Sequence, residues 1–398
     1  MKKILFVINT LGGAGAEKAL IELLKRFSPE EYEVSLYVLL EQGELIHQIP
    51  SYVMILNHEY VDASVLSEEG KKQLKKRIFK RLFKKFAIFK NIPYLLANTI
   101  QMIKKGRIYP DKLLWRIMSD SGLNIREYYD MAVAYLEGGS TYFVHDHIDA
   151  DRKFTFMHVD YEHAGYNRKL DKDCYLDFDR IFAVSDEVKQ SLLKVYPERS
   201  DKIFVFHNLI DQEEIKRKAK YSGGFEDDYD GMRILTVGRL TSQKAYEIAI
   251  DAMKLLKDQH RKVRWYVLGE GELRQKLQRQ IDRLGLTQDF ILLGAKENPY
   301  PYYAQCDIYV HATRFEGNSI AVQEAQTLGC VIIVSDSHGN REQVEDDIDG
   351  KLCQLTPESI SEEIGYLLDH EEIREQLGKR AAGKLSGEQH NIQQYFQI

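Results

Sequence analysis

The stretch YVHATRFEGNSIAVQEAQTLG, Tyr309 to Gly329, decides how this chain is read. The apolar run from Ile308 to His311 predicts a short buried strand, followed by a turn and a helix opening at Gly317. Glu316 falls at the turn, and Glu324 lies about two helical turns deeper. The neighbours Ile320, Ala321, Val322 and Ala325 predict that Glu324 is buried. A strand aimed at a helix N-terminus offers free backbone N–H groups and a positive dipole end, which suits a phosphate or diphosphate. Two carboxylates would repel that phosphate, so their chemistry points to accepting hydrogen bonds from the hydroxyls of a ribose or a sugar. A purely structural alternative stands beside this one: Glu316 as a helix N-terminal charge and Glu324 as a salt-bridged helix residue.

Working outward, the second half of the chain alternates strand and helix. Met232 to Val237 reads as a strand and is followed by GRLTSQK, Gly238 to Lys244, and a helix of about a dozen residues. Arg264 to Leu268 leads into Gly269-Glu270-Gly271-Glu272-Leu273-Arg274 and a further helix; Phe290 to Leu293 and Cys330 to Ser335 are further strands. This pattern predicts a parallel sheet with helices on both faces, whose strand ends share one edge. Arg239 and Lys244, the Gly269 to Gly271 turn, and Glu316 with the start at Gly317 all fall at such ends. The two cations are expected to converge on the phosphate-binding helix start and to neutralise charge on a departing diphosphate.

The first half repeats the alternation. Lys3 to Ile8 is a compact apolar run, then come Gly12, Gly13, Ala14 and Gly15 and an apolar helical pattern through Phe27. A dinucleotide fingerprint would need a third glycine where Lys18 stands, so the loop is weak support for NAD. The lysines and apolar run at the N-terminus superficially resemble a signal peptide, but Asn9 breaks the run and it flows straight into the helix; it is read as the first strand. Further strands are expected at Glu33 to Leu40, Tyr52 to Leu56, Tyr129 to Leu136, Phe154 to His158, Ile181 to Val184 and Lys202 to Phe206. Ser185 is placed as a helix N-cap. His158, at a strand end, is a site candidate or simply a hydrogen-bonded histidine. Asp211 to Gly231 is polar and reads as a linker.

Lys71 to Lys90, KKQLKKRIFKRLFKKFAIFK, interrupts the pattern with ten basic residues and no acidic one. The whole chain carries -6, so the remainder carries -16 (-6 minus 10). Leu74, Ile78, Leu82 and Phe86 recur every four residues, widened by Phe79, Phe83 and Phe89. A basic amphipathic helix of this kind suits an anionic membrane surface, with Lys75, Lys76, Arg77, Lys80, Arg81, Lys84 and Lys85 facing the headgroups. Packing of the stripe on its own domain is the alternative, and nucleic acid is disfavoured by the acidic remainder.

At 398 residues, with 44% apolar and 29% charged residues, the chain is an ordinary globular protein of two or three domains. Cys174, Cys306, Cys330 and Cys353 are scattered, indicating neither a zinc site nor a disulfide framework, as in a reducing cytosol. No run of apolar residues is long enough to span a membrane.

Taken together, GRL-x-x-x-K, the GEGELR turn, the pair Glu316 and Glu324, the GGxGAEK loop, His158, the VS-x-x-V-K stretch at Ser185 and Asn208 resemble the family 4 retaining glycosyltransferases. The resemblance covers nearly the whole chain and is strongest from Arg233 to Leu352. It implies the GT-B fold: an α/β architecture of two Rossmann-like, doubly wound domains facing across a cleft. The expected boundaries are 1–210 with a basic amphipathic insertion at about 60–127, a linker at 211–231, 232–380 for the nucleotide-sugar domain, and a segment 381–398 returning to the first domain. It further implies that Arg239 and Lys244 hold the donor diphosphate, and that the amides of Gly317, Asn318, Ser319 and Ile320 hold phosphate and sugar. Glu316 would bond the donor sugar and Glu324 the ribose. Gly13 and Ala14 would approach the phosphates, Gly238, Gly269 and Gly271 would line the donor site, and His158 would contact the sugar near the reacting carbon.

The family is metal-independent, so no metal and no cofactor are expected; Asp149/Asp151 and Asp171/Asp173, which mimic a metal-binding pair by spacing, are read as surface acids. Many members have EGFGLPxxEA where this chain has EGNSIAVQEA, which leaves the sugar open. The run from Leu136 to Gly139 and HNLID are similar to members that build bacterial surface polysaccharides. They imply a hexose moved from a nucleotide-sugar, UDP-sugar favoured, to a lipid-linked or glycan acceptor. The expected location is cytoplasmic, peripheral at the inner face of the plasma membrane, with no nucleic-acid partner. An NAD-linked oxidoreductase and a non-catalytic membrane-associated nucleotide-sugar-binding protein are the alternatives.

Overall fold

Thirteen strands fall into two parallel sheets in a computed structural model that describes residues 1–65, 67–104, 106, 108–384 and 392–396. The first sheet comprises β1 (Lys2–Ile8), β2 (Tyr32–Val38), β3 (Met54–Ile55), β4 (Tyr129–Ala134), β5 (Ala150–Met157), β6 (Arg180–Ala183) and β7 (Ile203–Val205), in the order β3-β2-β1-β4-β5-β6-β7. The second comprises β8 (Met232–Val237), β9 (Val263–Leu268), β10 (Phe290–Gly294), β11 (Ile308–His311), β12 (Ile332–Ser335) and β13 (Lys351–Cys353), in the order β10-β9-β8-β11-β12-β13. Each therefore starts near its middle and reverses direction once, placing a crevice outside the C-terminal ends of its central strands. The chain divides into two compact units, Met1–Leu209 with Asn391–Ile398, and Ile210–His390.

The central strands are largely apolar because helices cover both faces of each sheet there. In the second unit, Ile234, Ile308, Val310 and Ile333 pack into one cluster, while their chain neighbours Leu235, Tyr309 and Ile332 point into another on the opposite face. In the first unit, the aromatic residue Phe396 near the C-terminus is buried against Phe6, Phe27 and Phe154. The preceding helix, Glu371–Lys384, runs beyond the expected boundary at 380, and its Ala381 packs in the second unit.

The stretch 211–231, expected as a linker, belongs to the second unit. Asp211 caps a helix, Gln212–Ala219, by accepting from the Glu214 N–H. Farther on, Phe225 packs on Tyr266 and Tyr302, and the Asp227 carboxylate accepts from Arg264 and the Tyr266 hydroxyl. Its polar composition reflects ion pairs formed within the fold.

The basic stretch also departs from expectation. Its helix, Glu68–Phe83, stops at a kink where Lys85 and Phe86 adopt left-handed backbone, and a short helix follows at Ala87–Lys90. Leu74, Ile78 and Leu82 pack on the first unit's core, whereas Phe79, Phe83, Phe86 and Phe89 remain exposed. Arg77 and Arg81, expected to face outward, both pair with Glu41, and Arg81 is only 3% exposed. The Lys85 ammonium donates to the Gly122 carbonyl at 2.6 Å. Lys75, Lys76, Lys80 and Lys84 remain exposed.

Candidate active site

Two loops of the second unit are laced together by their backbones. The turn Ser242–Lys244 after β8 ends at Ala245, a buried residue held at a φ of 46°. Such backbone costs a non-glycine residue about 1 kcal/mol, a strain found where structure over-determines a position. The Gln243 carbonyl accepts from the Arg314 N–H at 2.8 Å and from the Thr313 hydroxyl at 3.1 Å, while the Gln243 amide donates to the Phe315 carbonyl at 2.9 Å. These bonds bring Lys244 onto Glu316, whose carboxylate accepts directly from the ammonium. The sequence placed both residues at strand ends; the structure joins them as an ion pair.

His311, the last residue of β11, completes the cluster and was not singled out in the sequence. Its ring is 1% exposed, with Nε2 lying 3.0 Å from the Glu316 carboxylate, 3.1 Å from the Lys244 ammonium and 3.3 Å from the Ser319 hydroxyl. Burial pushes the Glu316 carboxyl up, but the Lys244 charge and the His311 bond outweigh it and hold the group at about 2. Burial, together with the lysine charge, lowers the imidazole, which is therefore neutral at neutral pH.

The hydrogen bonds continue inward. His311 Nδ1 lies 3.2 Å from the Tyr309 hydroxyl, and the Tyr309 ring packs against that of Tyr303 with centroids 5.2 Å apart. The Tyr303 hydroxyl donates to Glu324 at 3.1 Å, and Tyr300 donates to the other oxygen at 3.1 Å. Glu316 and Glu324 thus flank one run of packed side chains, His311, Tyr309 and Tyr303. Burial raises both of these tyrosine hydroxyls well above their usual range, so they stay protonated and able to donate. Glu324 is buried as expected.

The helix after the turn is Ile320–Thr327, opening three residues later than Gly317. The Ser319 N–H, expected to be available to a ligand, instead donates to Gln343 at 2.7 Å, and the Gln343 amide returns a bond to the Ser319 carbonyl at 2.9 Å. Asn318 accepts from Gln323 at 2.6 Å, which explains why a polar side chain is tolerated there in place of an apolar one. Gly317 is packed against Gly339: a Cβ built on Gly339 would lie 2.2 Å from the Glu316 carbonyl oxygen and 2.3 Å from that of Gly317.

Gly269 and Gly271 serve the backbone. A Cβ on Gly269 would fall 1.9 Å from the Gly238 carbonyl oxygen, and one on Gly271 would fall 2.4 Å from that of Leu240. Gly238 itself lies under Lys244, with a built Cβ 3.6 Å from the lysine Cε. Arg239 does not join Lys244 in the ion pair; it is exposed, and its guanidinium has no partner among the described residues.

The first unit has its own strand-end groups. The Gly13 N–H donates to the Glu44 carboxylate at 3.0 Å, so this loop already holds an anion, one supplied by the protein; Ala14 is the N-cap of the helix Gly15–Leu24. His158, after β5, stacks near Phe156, and its backbone N–H donates to Glu137 at 3.1 Å. Its Nε2 has no partner among the described residues, and burial lowers the imidazole, leaving a neutral ring with one nitrogen uncommitted. Ser185 caps Asp186–Val195 as expected.

Asp171, read as a surface acid, is fully buried and accepts from the hydroxyls of Tyr142 and Tyr161. Burial raises its carboxyl to about 6. Asp149 and Asp151 are exposed as expected. Asp120, Asp146 and His147 bring ligand-type atoms within 4.8 Å of one another, but Arg116 pairs with Asp146, and Asn91 and His147 bond Asp120, so protein partners account for the cluster.

Two doubly wound sheets, with a paired lysine and glutamate at adjacent strand ends of the second, define the fold class as GT-B. Among solved structures, the chain is similar to Anabaena HepE in complex with UDP and glucose (17% identity, TM-score 0.64, covering 97% of this chain and 95% of that one). It is also similar to a S. aureus TarM variant in complex with Fondaparinux, alpha-GlcNAc-glycerol and UDP (12% identity, TM-score 0.66, covering 97% and 96%). Both likenesses are of fold.

Residues 219–384 match the family described as Glycosyl transferases group 1. A Campylobacter jejuni relative, N-acetylgalactosamine-N,N'-diacetylbacillosaminyl-diphospho-undecaprenol 4-alpha-N-acetylgalactosaminyltransferase, is 30% identical over 54% of this chain and 58% of its own length. The amylovoran biosynthesis glycosyltransferase AmsK of Erwinia amylovora is 26% identical over 48% of this chain and 49% of its own length. The chain thus spans about half the length of the curated relatives it matches.

Proposed function

We propose that this protein is a retaining glycosyltransferase that moves a hexose from a nucleotide diphospho-sugar, most readily a UDP-sugar, to a lipid-linked or glycan acceptor in surface polysaccharide synthesis. The observation that carries the reading is the half-buried Lys244–Glu316 pair on the buried His311, at strand ends within the stretch that matches Glycosyl transferases group 1. An arriving diphosphate competes with Glu316 for the lysine, and the carboxylate so released accepts from sugar hydroxyls. Arg239, unpaired and exposed, supplies a second cation to the leaving diphosphate. Glu324, held by two tyrosine hydroxyls, still has lone pairs for a ribose.

In the transfer, the acceptor oxygen bonds to the anomeric carbon as the bond from that carbon to the diphosphate oxygen breaks. The acceptor proton passes to the departing phosphate oxygen on the same face, which retains configuration. Lys244 and Arg239 stabilise the charge that develops there, and His158, neutral with a free Nε2, bonds the sugar near the reacting carbon. No metal is required for these steps, since the cations belong to the chain. The names of the Campylobacter and Erwinia relatives support a polysaccharide or lipid-linked acceptor.

Release of free nucleotide from a panel of UDP-, GDP- and ADP-sugars tests the reading. Turnover with one nucleotide class is expected, and an NMR assay of the product should show the donor's anomeric configuration. Absence of turnover with every donor, with and without lipid-linked acceptors, would overturn it.

A further inference from the structure

The surface from Phe79 to Ile108 carries more exposed apolar side chain than its own fold can use. Half of the exposed large apolar residues fall in these thirty positions, nine of eighteen among the described residues. Six of the nine come from two helices, Glu68–Phe83 and Ile92–Lys104. On Glu68–Phe83, Phe79 and Phe83 lie one turn apart with ring centroids at 5.5 Å, and helical spacing puts Lys72, Lys75, Lys76 and Lys80 on the same exposed side. Phe86, turned outward by the left-handed kink, is 71% exposed, with Phe89 beside it.

The second helix, Ile92–Lys104, carries apolar residues on its outer side as well as on the side that packs. Tyr94, Asn98 and Met102 are buried inward, while Ile92, Leu96, Ile100 and Ile103 recur on the outer side at 44% to 60% exposure. Between the two helices, Phe83, Ile88, Phe89, Ile92, Leu95 and Leu96 line an open groove of about 290 Å³ with no polar lining. An apolar surface of this extent marks an interaction site.

We infer that this two-helix surface is the seat of the first unit on an anionic lipid bilayer. The phenylalanines and the outer row Ile92, Leu96, Ile100 and Ile103 enter the acyl boundary, and the exposed lysines meet lipid headgroups. Charge selects this occupant. The lysine-rich rim lies on a chain of net charge -6, and no acidic residue occurs between Lys71 and Lys90 to repel a negative surface. A second copy of the chain would bring the same positive rim against itself. Among the described residues no helix is long and apolar enough to cross a membrane, so the contact is interfacial. The expected basic stripe is only part of this surface: two of its arginines are spent on Glu41, and four of its exposed apolar residues come from the following helix, outside the stretch that suggested it. The inference stands apart from the transfer reading, because it rests on none of the site residues.

The test is co-sedimentation of the full chain with vesicles of phosphatidylcholine alone and with phosphatidylglycerol, followed by quenching of a Leu96→Trp variant by lipids brominated along their acyl chains. Binding only to the anionic vesicles, and quenching by shallow bromine positions, are expected. Replacing Lys72, Lys75, Lys76 and Lys80 by Gln should weaken binding by on the order of 10²-fold. Replacing Phe83, Phe89, Leu96 and Ile100 by Ser should abolish quenching and binding. Both sets are exposed, so the circular dichroism spectrum should be unchanged, and nucleotide release from a soluble donor should match the parent.

Equal binding to neutral vesicles, no binding, or undiminished binding by both sets would overturn the inference. So would a dimer in solution that the serine variant dissolves, since that would assign the surface to a second copy. Loss of vesicle binding with intact nucleotide release bears on this surface alone; intact binding without release bears on the transfer reading alone.

Discussion

A carboxyl in each unit is withdrawn from solvent among hydrogen-bond donors, Glu316 in the second and Asp171 in the first, and the two titrate in opposite directions. Glu316 in the second unit is held at about 2, and Asp171 in the first is raised to about 6. Burial works the same way on both. The difference is what touches them. Glu316 receives a lysine ammonium directly, whereas Asp171 receives two neutral tyrosine hydroxyls, and the nearby Arg116 spends its guanidinium on the Asp171 backbone carbonyl and on Asp146. A direct cation contact overcomes desolvation; neutral donors only reduce it. The first carboxyl is thus kept charged for use, and the second is a structural knot among aromatic rings.

The largest expected effect comes from breaking the charged arrangement. Lys244→Ala should lower transfer by on the order of 10²-fold or more, measured as nucleotide release. It should also lower stability in urea, by up to about 3 kcal/mol, because it strands a half-buried carboxylate. The double variant Lys244→Met with Glu316→Gln should regain most of that stability and none of the turnover, separating the fold from the chemistry.

The pH dependence sharpens the comparison. Glu316 binds its proton less readily folded than unfolded. Its contribution, on the order of 3 kcal/mol, is therefore present above about pH 4.5 and lost as pH falls toward 2. Asp171 binds its proton more readily folded. Stability from this group is therefore full below about pH 3.8 and declines by on the order of 3 kcal/mol as pH rises through 6. Urea titrations of Glu316→Gln and Asp171→Asn should flatten opposite limbs of the pH profile.

Smaller effects are expected around the cluster. Tyr303→Phe removes one donor from Glu324 and should cost about 1 to 3 kcal/mol in stability. His311→Asn should change the pH dependence of turnover more than the affinity for donor, because the imidazole acts through Lys244 and Glu316.

Much of this arrangement is legible in the residues. The apolar runs at Met232 to Val237 and Ile308 to His311 marked strands, and their ends marked where Lys244 and Glu316 would lie. The pairing of Lys244 with Glu316 was not legible, because it depends on Gln243 bonding to residues 313–315, contacts far apart in sequence. His311 and Tyr309 read as ordinary members of a buried strand; the one signal was a histidine at a strand end, the same feature that marked His158. Residues 211–231 were misread because polar composition cannot distinguish solvated chain from chain whose charges are paired internally. Asp171 was misread for the converse reason, since spacing says nothing of the tyrosines that surround it.

Gly339 has a practical consequence for redesign. Its missing side chain leaves room for the carbonyls of Glu316 and Gly317, and Gln343, a turn farther on, is bonded twice to Ser319. Segments 314–320 and 338–343 are therefore one transplantable cassette. An engineer who borrows the first from a homologue to change the sugar accepted must borrow the second with it.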